Sequence, residues 1–214
     1  MTIRLEQQVE QVANALNAAG LCFGHGTDNA FDEAAWLVLE ACELDPSGDE
    51  VPWDQVLTAR QQASVQALLE RRIQTGEPLA YLVNRAWFAG HDFFVDPRAI
   101  VPRSHIGEWI PDRFSPWRVE RPAASILDLC TGSGCIAVAL ALAFPEAQID
   151  ASDISASALE VAQANVARYE VQERVRLLQG DPEHDEFFAD LTTDLATDRR
   201  ELDHGRLPGA LSAR

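Results

Sequence analysis

Three aspartates, Asp128, Asp153 and Asp181, stand at or near the ends of short apolar runs, and the first is followed, after Leu129-Cys130, by Thr131-Gly132-Ser133-Gly134. Carboxylates at the ends of strands can accept hydrogen bonds from the hydroxyls of a nucleoside. Open α/β sheets bind their ligands at the carboxyl ends of the strands. Glycines without Cβ permit a tight turn and close approach of a ligand to the backbone. The helix that follows offers free N–H groups and a positive dipole end to a carboxylate or phosphate. Asp153 comes about 20 residues after the glycines, the spacing at which a Rossmann-like unit sets an acid on ribose hydroxyls. A glycine turn with a single acid would read equally well as a structural strand-to-helix connection; three acids in one βαβαβ pattern predict a polar nucleoside site. The turn has Ala137 where a dinucleotide fingerprint would have its third glycine. Alanine is tolerated there, so a nicotinamide-dependent oxidoreductase stays open on the motif alone.

The elements that must hold these residues follow from periodicity. Residues 126–130 predict a buried parallel strand, 136–144 a helix, 147–152 a second strand ending in Asp153, and 175–178 a third before Gly180-Asp181. Between the last two lies a helix opened by Ser155, with Ser157-x-x-Glu160 as a second fit to a capping box, burying Leu159, Ala162, Val166 and Tyr169. Upstream, helical spacing spans 3–19 and 31–44, then a run from Asp54 or Thr58 to Thr75 with Val65, Leu68, Leu69 and Ile73 inward. These form a small helical domain without a catalytic constellation, and His25 reads as a loop residue. Trp87 to Val95 predicts a β-hairpin turning near Gly90-His91-Asp92, and a short helix follows around 105–110. The division is a helical domain over 1–76, hairpin and linker over 77–122, part of a nucleotide-binding α/β domain over 123–181, and an acidic, atypical segment over 182–214.

Composition narrows the partners. The 214 residues are 47% hydrophobic and carry a formal net charge of −17, and all 17 basic residues are arginine. Such a surface repels nucleic acid and favours a basic partner or simple solubility. The first residues lack a signal-peptide core and no run of twenty apolar residues occurs, so a cytoplasmic protein with no membrane partner is expected. The four cysteines form no Cys-x-x-Cys pair and have no histidine cluster beside them, which predicts neither zinc nor disulfides.

Pro78-Leu79-Ala80-Tyr81-Leu82, Trp87-Phe88-x-Gly90-His91, Phe94-Val95-Asp96, Val101-Pro102-Arg103-Ser104 and Asp128-Leu129-Cys130-Thr131-Gly132-Ser133-Gly134-Cys135 together resemble a family. It is that of the S-adenosylmethionine-dependent glutamine N5-methyltransferases, in the branch that modifies ribosomal protein uL3. The resemblance covers about residues 1–181. Pro102-Arg103-Ser104 favours this branch over the release-factor branch, although His105 stands where a proline is expected. The resemblance implies an incomplete class I methyltransferase (Rossmann-like) domain behind a small helical domain and a hairpin. It further implies that Asp128, Cys130, Thr131, Gly132, Gly134 and Cys135 cradle the methionine part of S-adenosylmethionine. By the same resemblance Asp153 takes the ribose hydroxyls, Ile154 packs on the adenine and Asp181 lies at the adenine edge. The substrate implied is a basic ribosomal protein, which the acidic surface suits.

One departure bears on activity. The family carries Asn-Pro-Pro-Tyr after its fourth strand to orient the substrate amide, and the last Asn and Tyr here are Asn165 and Tyr169. The expectation is a truncated or frameshifted chain after residue 181, with no catalytic residue assigned. Such a chain is expected to be an inactive form or a non-catalytic binding module. Loss of a fourth strand would leave the first strand an unpaired apolar edge, open to another chain.

Overall fold

A computed structural model describes residues 3–46, 51–116 and 123–180. Asp181 and the 182–214 segment lie outside the described residues. Among those described, seven helices and five strands are α1 (Leu5–Ala18), α2 (Ala30–Ala41), α3 (Ala59–Thr75), α4 (Leu79–Val83), β1 (Ala86–Phe88), β2 (His91–Phe93), α5 (Ile106–Trp109), β3 (Ser125–Leu129), α6 (Cys135–Ala143), β4 (Gln148–Asp153), α7 (Ala156–Arg168) and β5 (Val175–Gln179).

The second and third helices start where polar side chains cap free N–H groups. Asn29 accepts from Asp32 N, and Thr58 accepts from Gln61 N while Gln61 reaches back to the Thr58 N–H. With α1 their apolar stripes meet in one core: Leu5, Val9, Val12 and Leu16 from α1, Ala34, Leu37 and Val38 from α2, Val65 and Leu69 from α3. Ile73 departs from the inward placement expected of it and is 37% exposed, because Arg72 takes the inward place. The Arg72 Nε donates to Glu33 Oε1 at 2.8 Å and its Nη2 to the Cys22 carbonyl at 3.2 Å, so α3 and α2 are joined by a buried ion pair.

The hairpin pairs Ala86 with Phe93 and Phe88 with His91 around Ala89-Gly90. Asp92 ties it to both sides. It accepts from Arg85 Nε at 3.0 Å and from Arg168 Nη2, and its carbonyl accepts from the Tyr169 hydroxyl at 2.7 Å. Arg85 also reaches Glu40 on α2 at 3.4 Å, so one chain of charges runs from helical domain to hairpin to α7.

The sheet is parallel with order β3-β4-β5, and each crossover is a helix. Ile126, Ile149, Ala151, Val175 and Leu177 share a core with Val138 and Leu140 of α6 and Val166 of α7. Alternation turns Leu127 and Leu129 to the other face. There the expected burial fails: Leu127 is 44% and Leu129 42% exposed, since no described element packs over them. The outer edge of β3 has no partner strand among the described residues. In α7, Ala158, Val161 and Asn165 are buried beside the expected Ala162 and Val166, whereas Leu159 is only half-buried.

Candidate functional site

The turn between β3 and α6 is built by its neighbours. Gly134 caps α6 with φ +74°, and a Cβ there would lie 2.9 Å from the Ala162 Cβ and 3.1 Å from its Cα. Only glycine combines that left-handed backbone with the close approach of α7. Thr131 N donates to the Ser152 carbonyl of β4 at 2.8 Å, and Gly134 N to the Thr131 carbonyl at 2.9 Å. Beneath the turn, Asp128 is 8% exposed and accepts from the Thr131 hydroxyl at 2.6 Å. Burial raises its pKa above the ordinary carboxylate value, against the Thr131 hydroxyl and Ala137 N–H that favour its charge; the Asp153 charge pushes the same way as burial.

Asp153, at the end of β4, holds the turn from its open side. Its Oδ2 accepts from Gly132 N and its Oδ1 from Ser155 N, both at 2.9 Å. Ser155 in turn caps α7 by accepting from Ala158 N at 3.2 Å, so Ser155, rather than Ser157, opens this helix. Glu160, the alternative capping-box acid, instead bonds Arg98 Nη1 at 2.7 Å.

A cleft of about 470 Å³ lies between two walls. One wall carries Cys130, Thr131, Gly132, Ser133, Cys135, Asp153 and Ser155; the other is the linker from Arg98 to Ser104 with Phe88 of β1. The linker is itself pinned: Tyr81 donates to the Ala99 carbonyl at 2.8 Å, Asn84 Nδ2 to that of Val95 at 3.1 Å, and Arg98 forks onto Asp96. That guanidinium holds the Asp96 carboxyl below the usual range.

Of the sequence-derived site residues, Cys130, Thr131, Gly132, Cys135 and Asp153 come together in this cleft. Gly134 lies behind the wall and Asp128 beneath it, and Ile154 is 63% exposed outside the lining. Cys135 is buried, and burial pushes its thiol up to about 12, so it stays protonated and does not act as a nucleophile. Among the described residues no cluster of three or more His, Cys, Asp or Glu is placed to hold a metal ion. A larger depression of about 770 Å³ between α1 and α3 is walled mainly by glutamines and lacks converging charge.

Two residues of this region escaped the reading of types and spacing. Arg103 lines the cleft and is exposed there, bringing a second guanidinium beside that of Arg98. Asn165 is fully buried and bonds Ser133 of one wall and Phe94, which leads into the other. Its signal was present: a lone amide within the stripe Ala158, Val161, Ala162, Val166.

Comparison with known proteins places these observations in a class. Residues 126–212 match a methyltransferase domain, and residues 9–83 match the PrmC N-terminal domain. The fold is thus that of the Rossmann-like methyltransferases, carried behind a helical domain that matches the PrmC N-terminal one. Within that class the chain is homologous to the ribosomal protein uL3 glutamine methyltransferases. It is 45% identical over 181 residues to the one from Bordetella pertussis, covering 82% of this chain and 59% of the relative. The relatives from Burkholderia pseudomallei and Neisseria meningitidis serogroup B are 47% and 48% identical, over 81% and 77% of this chain and 57% and 55% of theirs. The chain therefore spans somewhat more than half the length of these relatives.

Proposed function

We propose that the cleft binds S-adenosylmethionine and that the protein to which this chain belongs methylates a glutamine side-chain N5 of ribosomal protein uL3. The observation that carries this reading is the Asp153 carboxylate, fixed between the Gly132 and Ser155 N–H groups at the margin of a glycine-turn cleft. Each oxygen uses one acceptor position on the backbone and keeps capacity for a hydroxyl, which suits a vicinal diol. The cofactor also fits the remaining groups. The cleft size falls within the range of small-ligand sites, Gly132 presents no side chain to it, and Arg103 is available to a carboxylate. Asp128 beneath the turn offers negative charge to a ligand cation.

When bound, the cofactor supplies a methyl group already activated on sulfonium. The chain's own residues bind and orient it: Asp128 through Cys135 on the methionine part, Asp153 on the ribose and Ile154 toward the adenine; Asp181, to which the resemblance gives the adenine edge, lies outside the described residues. The relatives' printed names supply the substrate, and a net charge of −17 suits a basic one. The residue divisions read from the sequence (1–76, 77–122, 123–181, 182–214) and a cytoplasmic location belong to the same proposal. Among the described residues no helix is long and apolar enough to cross a membrane.

A second reading, a binding module that does not itself transfer the methyl group, is favoured by the absence of Asn-Pro-Pro-Tyr from the 214 residues. Thermal unfolding with S-adenosylmethionine and with NAD tests the binding common to both readings. A ligand at one hundred times its Kd stabilises by about 2.7 kcal/mol. A rise in Tm with S-adenosylmethionine and none with NAD is expected; the reverse would return the cleft to the oxidoreductases.

A further inference from the structure

We infer that Asn165 is a positioning residue that sets the two walls of the cleft against each other. Its side chain is fully buried on α7 and reaches across sequence to the glycine turn and to Phe94, which leads into the opposite wall. Oδ1 accepts from Phe94 N at 2.8 Å; Nδ2 donates to the Phe94 carbonyl at 2.9 Å and to the Ser133 carbonyl at 2.8 Å. The amide orientation follows from these partners alone, since an N–H must face the oxygen and two carbonyls must face the NH₂. Phe94 lies four residues before Arg98, where the linker segment that forms one wall begins, and Ser133 is the middle of the glycine turn that forms the other. One turn of α7 away, Ala162 makes the contact that only a glycine at 134 allows. The same helix face thus fixes the turn sterically through Ala162 and by hydrogen bonds through Asn165.

No other side chain of this size makes the same set. Aspartate accepts from Phe94 N but turns an oxygen toward two carbonyl oxygens. Leucine fills the volume and removes the partner of the buried Ser133 carbonyl and of the part-buried Phe94 N–H and carbonyl, each of which carries a desolvation cost. Alanine leaves the same groups unpaired with more room to relax. The turn and the linker then lose their common anchor, while the helical domain, which Asn165 does not touch, keeps its own core.

The test has a ligand arm, which rests on the S-adenosylmethionine reading above, and an exchange arm, which does not. In the exchange arm, amide hydrogen exchange of the unliganded parent chain should show residues 94–104 and 130–135 opening together. In Asn165→Asp and Asn165→Ala both segments should lose protection by tenfold or more, with residues 5–75 unchanged. In the ligand arm, the same variants should bind S-adenosylmethionine at least tenfold more weakly. Val166→Ala, matched to them in lowered Tm, should bind within twofold of the parent. Independent opening of the two segments in the parent would overturn the inference even if neither variant folds. So would unchanged protection in folded variants, or an equal loss of affinity in Val166→Ala. A parent that binds no S-adenosylmethionine would remove the ligand reading and leave the exchange arm to decide this one.

Discussion

Asp128 and Asp153 are both strand-end acids, and their surroundings give them different work. Asp128 is nearly sealed beneath the turn, and its raised pKa means that its charged form is penalised in the folded chain. The sign follows: at a pH below both values it is neutral folded or unfolded, and its stability cost appears as pH rises from the ordinary carboxylate value through its raised one. An asparagine side chain in its place would keep an acceptor for the Ala137 N–H, turn its NH₂ to the Thr131 oxygen and carry no charge. Asp128→Asn should therefore melt higher than the parent at pH 7, by an increment that vanishes under strongly acidic conditions, while binding S-adenosylmethionine more weakly. Melting curves from acid to neutral pH check the first part, and a lower Tm at pH 7 would contradict it. Both acids were legible because each closes an apolar run; their difference was not, since it comes from contacts with Ala137, Thr131 and Ser155. Arg103 and Asn165 were hidden for a like reason: an arginine in a loop and an amide on a helix acquire meaning only from what lies opposite them.

At the scale of elements, the glycine turn makes a graded prediction. Positions 132 and 134 both have positive φ, but an added Cβ meets nothing within 4 Å at 132 and meets Ala162 at 134. Gly132→Ala should cost about 1–2 kcal/mol from backbone strain alone. Gly134→Ala should cost more, on the order of 3 kcal/mol, because overpacking adds to the strain. Urea unfolding midpoints decide the order, and equal costs would place α7 farther from the turn than described. In the helical domain, Glu33→Ala would strand the buried Arg72 guanidinium and should cost about 3–5 kcal/mol, read from the same experiment, without altering ligand affinity. Most element positions were legible from caps and periodicity. The burial of β3 was not: an apolar run shows what a strand tends to bury, and Leu127 and Leu129 stay exposed because their cover is a matter of tertiary neighbours.

On the whole molecule, the hairpin and the linker after it are packed into both cores, Ala86, Val95 and Val101 with the helices and Phe88 and Phe93 with the sheet. Two sets of charges add to the join, the Glu40–Arg85–Asp92–Arg168 chain and the Asp96–Arg98–Glu160 fork. Together they hold the linker over the glycine turn. The 214 residues carry the cleft proposed for the cofactor but not Asn-Pro-Pro-Tyr, to which the family resemblance assigns the orientation of the substrate amide. Well-placed reactants can gain on the order of 7–11 kcal/mol, and an unoriented glutamine amide forfeits much of that. Incubated with labelled S-adenosylmethionine and unmodified uL3, this chain alone should transfer little label to glutamine; robust transfer would show that other residues orient the amide. The most direct measurement is calorimetric titration of the chain, and of Asp153→Ala, with S-adenosylmethionine. One molecule should bind per chain, and loss of the charge-assisted bonds to the ligand, worth about 1.5–3 kcal/mol, should weaken the variant tenfold or more. No binding by the parent, or equal binding by Asp153→Ala, would contradict the assignment of this cleft.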